Sequence, residues 1–286
     1  MSFNLAEFNA RTDEYLGTTV FWTVHAKHVP VDMMDEAALR HGFTMSDHIK
    51  PPTNKKAFTR AVRRVGKRSG SLFARTISDR PGATVIGIVS EHRDVGAEML
   101  DYEQTTTAKL FKDTSTVEVR GDHAPGFRED YDHYQEFYTD SDVRFFIGRV
   151  VASIHGVPLR KTGGVYFVPR DRVSTLVALD NLLKELGLGM IYQMRVPKGV
   201  EEARIAWESV EASARDEIEK VLAAVRKIAK SPKCLQNRAD MLEAERMTVE
   251  AYVSLTDSEA RAEAIRDMFQ GAEDEITQRL IEIKSR

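Results

Sequence analysis

Apolar and polar positions change period several times along the chain, and each change marks a predicted element. Thr18-Thr-Val-Phe-Trp-Thr-Val-His25 is dense in β-branched and aromatic residues and predicts a buried strand. A short helix follows from Asp32, its cap, to Leu39–Arg40, and Gly42 ends it. Pro51-Pro52 separates it from a second helix that Thr53 caps and that runs to about Val65. At roughly 100° per residue, Phe58, Ala61, Val62 and Val65 fall on one side of this helix and Lys56, Arg60, Arg63 and Lys67 on the other.

Strand patterns then dominate to residue 120. Ser71–Ile77 and Thr84–Val89 are joined by the turn residues Asp79-Arg-Pro-Gly82, and Glu103–Phe111 and Ser115–Arg120 flank Lys112-Asp-Thr114. No helical crossover separates them, so the pairing reads as antiparallel. Between 121 and 200 a helix (Asp142–His155), a strand (Val165–Val168), a helix (Arg172–Leu186) and a strand (Met190–Val196) alternate; Gly163-Gly164 reads as a turn with φ > 0 before the first of these strands. From Glu201 onward the period is helical. Val210, Ala214, Ile218, Val221, Val225 and Ile228 form one seam, Leu235–Val253 a second helix, and Thr256-Asp-Ser-Glu259 a capping box opening a third, whose seam is Ile265, Met268, Ala272, Ile276 and Ile283. The expected fold is α+β, a mixed sheet-and-helix region followed by a helical bundle or coiled-coil arm. Its expected domains are 1–120, carrying the basic helix, then 121–200 and 201–286.

Composition narrows the class. The chain has 286 residues, 42% apolar and 30% charged, which is globular composition. It lacks an apolar run of the roughly 18–20 residues that crosses a bilayer, and Met1–Arg11 lacks a signal-type apolar stretch. Cys234 is the single cysteine, which excludes internal disulfides and cysteine-based zinc ribbons. A cytoplasmic location without membrane attachment is expected.

Charge is more informative than composition. From His48 to Ser78 there is no Asp or Glu but nine basic residues: Lys50, Lys55, Lys56, Arg60, Arg63, Arg64, Lys67, Arg68 and Arg75. The whole chain is at −3, so this window is at +9 and the remainder at −12. A concentrated positive field selects polyanions even where net charge does not. The candidate nucleic-acid-binding residues are therefore Lys55, Lys56, Arg60, Arg63, Arg64, Lys67 and Arg68, with Asn54, Ser69, Ser71 and Phe73 nearby for hydrogen bonds and stacking. The competing reading is a solvated helix face, or one docked on the acidic segment Glu129–Asp142.

Other motifs carry little chemistry. Glu129–Asp142 holds six carboxylates but lacks the EF-hand frame. His25 and His28 sit at a strand end, outside an HExxH frame. Glu91, Asp94, Glu98, Asp101 and Glu103 with Lys109 suggest a nuclease only superficially, because the tight Glu-x-Lys spacing is not met. Gly66-Lys67 lacks the rest of a P-loop, Gly163-Gly164 precedes a strand rather than following one, and Cys234 has no His partner in sequence. No catalytic residue, metal ligand or cofactor is assigned.

Leu159-Arg-Lys-Thr-Gly-Gly-Val-Tyr-Phe-Val-Pro169 and Ala57-Phe-Thr-Arg-Ala61 resemble phrases in uncharacterised proteins of bacteriophages and mobile elements. The resemblance covers 16 of 286 residues and implies a mobile-element context. The expected function is non-enzymatic nucleic-acid binding, to DNA or RNA, by a homo-oligomer or a component of a complex joined through the C-terminal helices. The alternatives are a protein-interaction or assembly subunit with a basic docking face and, third, a divergent metal-dependent nuclease.

Overall fold

A computed structural model describes residues 15–68, 72–94, 99–160, 163–227, 231–256 and 258–285. In chain order it contains β1 (Tyr15–Val24), β2 (Val29–Pro30), α1 (Val31–Arg40), α2 (Met45–His48), α3 (Asn54–Arg68), β3 (Leu72–Asp79), β4 (Ala83–Asp94), β5 (Met99–Phe111) and β6 (Val117–Gly121). These are followed by α4 (Ala124–Glu136), β7 (Phe137–Tyr138), α5 (Asp140–Ser153), β8 (Val157–Pro158), β9 (Tyr166–Pro169), α6 (Val173–Glu185) and β10 (Gly189–Pro197). Three long helices close the chain: α7 (Val200–Val225), α8 (Pro232–Thr256) and α9 (Glu259–Lys284). Antiparallel sheets and separate helices make this an α+β fold.

The chain divides into two compact units, one made of the residues up to Val24 with Ile147–Arg286, the other of His25–Phe146. The boundaries expected at 120 and 200 do not match this division. β1 lies between β10 and β9, with Phe21 opposite Tyr192 and Thr19 opposite Phe167. A strand this apolar needs neighbours on both edges, and residues 166–197 supply them; no local pattern reports so distant a pairing.

In the first unit the sheet order is β10-β1-β9-β8. Leu176, Leu179, Leu182 and Leu183 bury one face of α6, which packs on β10. The three C-terminal helices contact one another pairwise around Trp207, Val210, Ile218, Leu242, Ile265 and Ile276. That core runs on into Leu16, Val157 and Phe167 of the sheet, so the helices form a bundle seated on the sheet, not a free arm. The Tyr252 hydroxyl stitches them together, lying 3.0 Å and 3.1 Å from the carbonyl oxygens of His155 and Phe167. The expected seam on α7 is buried from Val210 to Val225, while Ile228 lies outside the described residues. The expected capping box does not close. Ser258 is the N-cap of α9 without a side-chain cap bond; the Thr256 hydroxyl turns back to the Tyr252 carbonyl, and Glu259 pairs with Arg266. Gly163 and Gly164 adopt φ of +70° and +87°, the left-handed region that the turn before β9 requires.

In the second unit β3-β4-β5-β6 form an antiparallel meander. Reciprocal backbone bonds between Arg80 and Ala83 close its first hairpin at the expected turn. One face is covered by α3 and α4. Ala57, Phe58, Ala61, Val62 and Val65 of α3 and Phe127 and Tyr131 of α4 pack on Leu72, Ile86, Ile88, Ala108 and Leu110. α4 is absent from the sequence reading because Pro125 and Gly126 look like a turn; in the structure Pro125 occupies the first helical turn, where its missing N–H costs nothing.

Candidate nucleic-acid interface

The periodicity that predicts an amphipathic helix places its stripes as expected. The apolar stripe of α3 is fully buried, and Lys55, Lys56, Arg63, Arg64 and Lys67 are exposed. The Thr53 hydroxyl caps the start, accepting the Lys56 backbone N–H at 3.2 Å. The Arg68 side chain lies outside the described residues, as do Ser69 and Ser71.

The basic row is nevertheless divided in two. Arg60 is only 17% exposed, and its Nη2 lies 2.8 Å from the Asp142 carboxylate, which also accepts from Lys56 Nζ at 2.5 Å. Asp142 is itself buried, at 5% exposure, and is held by its own helix end. Its Oδ2 accepts the Thr139 backbone N–H and hydroxyl, both at 2.9 Å, while the Thr139 hydroxyl accepts the Asp142 N–H at 3.4 Å. Thr139-x-x-Asp142 is thus a reciprocal capping box at the start of α5. Burial pushes the Asp142 carboxyl up, but the hydrogen bonds from Arg60, Lys56 and Thr139 outweigh it and hold the group well below the usual carboxylate range.

Lys56 and Arg60 therefore share one buried carboxylate, which offsets one of their two charges; Arg60 is withdrawn from solvent, while Lys56 stays exposed with its ammonium held on Asp142. Lys55 is exposed and has a long contact of 3.9 Å to Asp79. Arg63, Arg64 and Lys67 make no ion pair among the described residues. They follow Lys56 and Arg60 along the same helical stripe, so the row is clamped at its N-terminal end and open at its C-terminal end.

The remaining sequence candidates do not converge. His28 of the His25/His28 pair meets His133, which the sequence reading missed: His28 Nδ1 and His133 Nε2 are 2.6 Å apart. Glu103 lies opposite Ser90, whereas Lys109 lies opposite Val85 and Glu118 with its ammonium over the Phe111 ring; Glu98 and the side chains of Asp94 and Asp101 lie outside the described residues. Among the described residues there is no group of three or more His, Cys, Asp or Glu placed to hold a metal ion, and no helix long and apolar enough to cross a membrane.

The histidine pair sets a pH dependence. Burial and the facing His133 lower the His28 pKa, so the folded protein favours the neutral ring relative to the unfolded chain. Stability from this group is complete above the ordinary histidine pKa of about 6.5 and is lost as pH falls below it. Melting temperature is expected to drop between pH 7.5 and pH 5.5, and His133→Asn to flatten that drop; an equally steep drop in the variant would show that other groups set it.

Neither curated proteins nor solved structures gave a match to this chain. A family model, described as a family of unknown function (DUF6744), matches residues 15–285, so the chain belongs to that family.

Proposed function

We propose that the protein binds nucleic acid through the open, C-terminal half of α3. One observation supports this reading above the others: Arg63, Arg64 and Lys67 are exposed, and make no ion pair among the described residues, on a helix whose apolar stripe is anchored in a core. Guanidinium groups fixed on a rigid helix lose little entropy on meeting phosphates, and the chain segment that carries them, His48 to Ser78, contains no Asp or Glu. The clamp on Asp142 then has a separate task, fixing the start of α5 against α3. Lys55, exposed at the start of the helix, adds to the proposed contact. The mobile-element setting of such a protein rests on the two phrases around Ala57–Ala61 and Leu159–Pro169.

A protein-interaction role is the second reading. It is favoured by Met190, Tyr192 and Met194, which stand exposed in a column on the edge strand β10. Charge reversal separates the two. Arg63→Glu with Arg64→Glu is expected to abolish binding to duplex or single-stranded oligonucleotides at moderate salt while leaving the melting temperature in place. Undiminished binding would remove α3 from the interface; a wild-type protein that binds neither at low salt would favour the second reading.

A further inference from the structure

We infer that the uncovered face of the β3–β6 sheet is a platform for single-stranded polynucleotide, with bases stacking on Phe73 and Tyr102 and phosphates meeting Arg75, Lys109 and Arg120. The inference rests on the nucleic-acid reading and names the class of strand. Helices cover only one face of this meander, and alternate residues of each strand point away from them.

An outward face of an antiparallel sheet is ordinarily polar. Here Phe73 is 39% exposed and Tyr102 53%. The register places Phe73 opposite Val89, which faces Gln104, and Glu91 opposite Tyr102. The next row reads Arg75, Gly87, Thr107, Arg120 across all four strands. Two guanidinium groups thus stand on the outer strands, about 14 Å apart at the backbone, with Gly87 and Thr107 between them in the register and the Ile77 and Gln104 side chains reaching over Gly87.

The cations on this face are weakly engaged. Arg75 has no ion pair among the described residues, and Arg120, 86% exposed, is 3.9 Å from Glu118. Thr107, Lys109, Glu118 and Arg120 line a hollow of about 310 Å³. Among the described residues, Glu91 and Glu118 are the carboxylates of this face, against three cations, so its charge suits a polyanion. Rings spaced among arginines provide separate stacking surfaces; a protein interface would instead gather apolar residues and deplete charge at its centre.

The test is fluorescence anisotropy with labelled oligo-dT, oligo-U and a DNA duplex, each about 20 nucleotides long so that a domain-sized site is filled. Phe73→Ala with Tyr102→Ala is expected to weaken single-strand binding at least about tenfold, given the usual cost of losing a base–aromatic stack. Arg75→Glu, which removes no ring, is expected to weaken it as well. Both variants should keep the wild-type melting temperature and light-scattering mass. Loss on either oligo-dT or oligo-U supports the platform and tells DNA from RNA.

Unchanged single-strand affinity in both sheet variants overturns it, and does so without harm to the α3 reading if Arg63→Glu/Arg64→Glu still abolishes binding. Sheet variants that lose the single strand beside an α3 variant that binds normally would keep the platform and remove α3. A change in mass in place of lost affinity would make the face a self-association surface and overturn the platform.

Discussion

Asp142→Ala is expected to destabilise the His25–Phe146 unit by about 3 kcal/mol, because it leaves the mostly buried Arg60 without its counter-charge and opens the α5 capping box. The figure sits at the low end for breaking a buried pair, since the second cation, Lys56, is 45% exposed and recovers hydration. Asp142→Asn should cost less: the amide oxygen still accepts from Thr139, and only the charge is lost. Arg60→Ala should destabilise too, by leaving the buried Asp142 carboxylate with Lys56 as its remaining cation, whereas Arg63→Ala should leave the melting temperature within about 1 °C of wild type, as surface substitutions do. Reading α3 from the wheel alone treats Arg60 and Arg63 as equivalent. Chemical denaturation of the four variants checks the difference, and equal midpoints for Arg60→Ala and Arg63→Ala would contradict the clamp.

Ile276→Asp is expected to have the larger effect, about 4 kcal/mol or more, because it buries a carboxylate without a partner in the three-helix core. Ile276 is 2% exposed and belongs to the cluster that continues through Trp207 and Phe269 into Phe167 of the sheet. Loss of helical signal by circular dichroism should therefore be accompanied by loss of the near-ultraviolet signal of Trp207. Helical melting with an unchanged aromatic signal would contradict the packing of Ile276 in the core that holds Trp207.

Elements that follow from local pattern were legible in the sequence. The apolar stripe of α3, the Asp79–Gly82 hairpin, the α7 seam and the glycine turn before β9 depend on residues a few positions apart. What escaped depends on distant or ambiguous residues. β1 reads as a strand, but only its pairing with β9 and β10 assigns it to a unit. α4 escaped because Pro125 and Gly126 break a helix in its interior yet fit its first turn. The clamp escaped because the wheel gives the direction of Lys56 and Arg60 but not what lies there. The signal that points to it, Thr139-x-x-Asp142, is itself local: a capping box fixes a carboxylate at a helix start, where a cation from elsewhere finds it.

The most direct test of the nucleic-acid reading is the salt dependence of duplex DNA affinity for wild type, Arg63→Ala/Arg64→Ala and Lys56→Ala. Each phosphate contact removed lowers the magnitude of the slope of log K against log salt by about 0.9. The double variant is expected to lose nearly two units of slope at unchanged melting temperature. Lys56→Ala, whose ammonium is spent on Asp142, is expected to keep the wild-type slope. A double variant with the wild-type slope would contradict phosphate contact at Arg63 and Arg64, even if the protein bound DNA tightly.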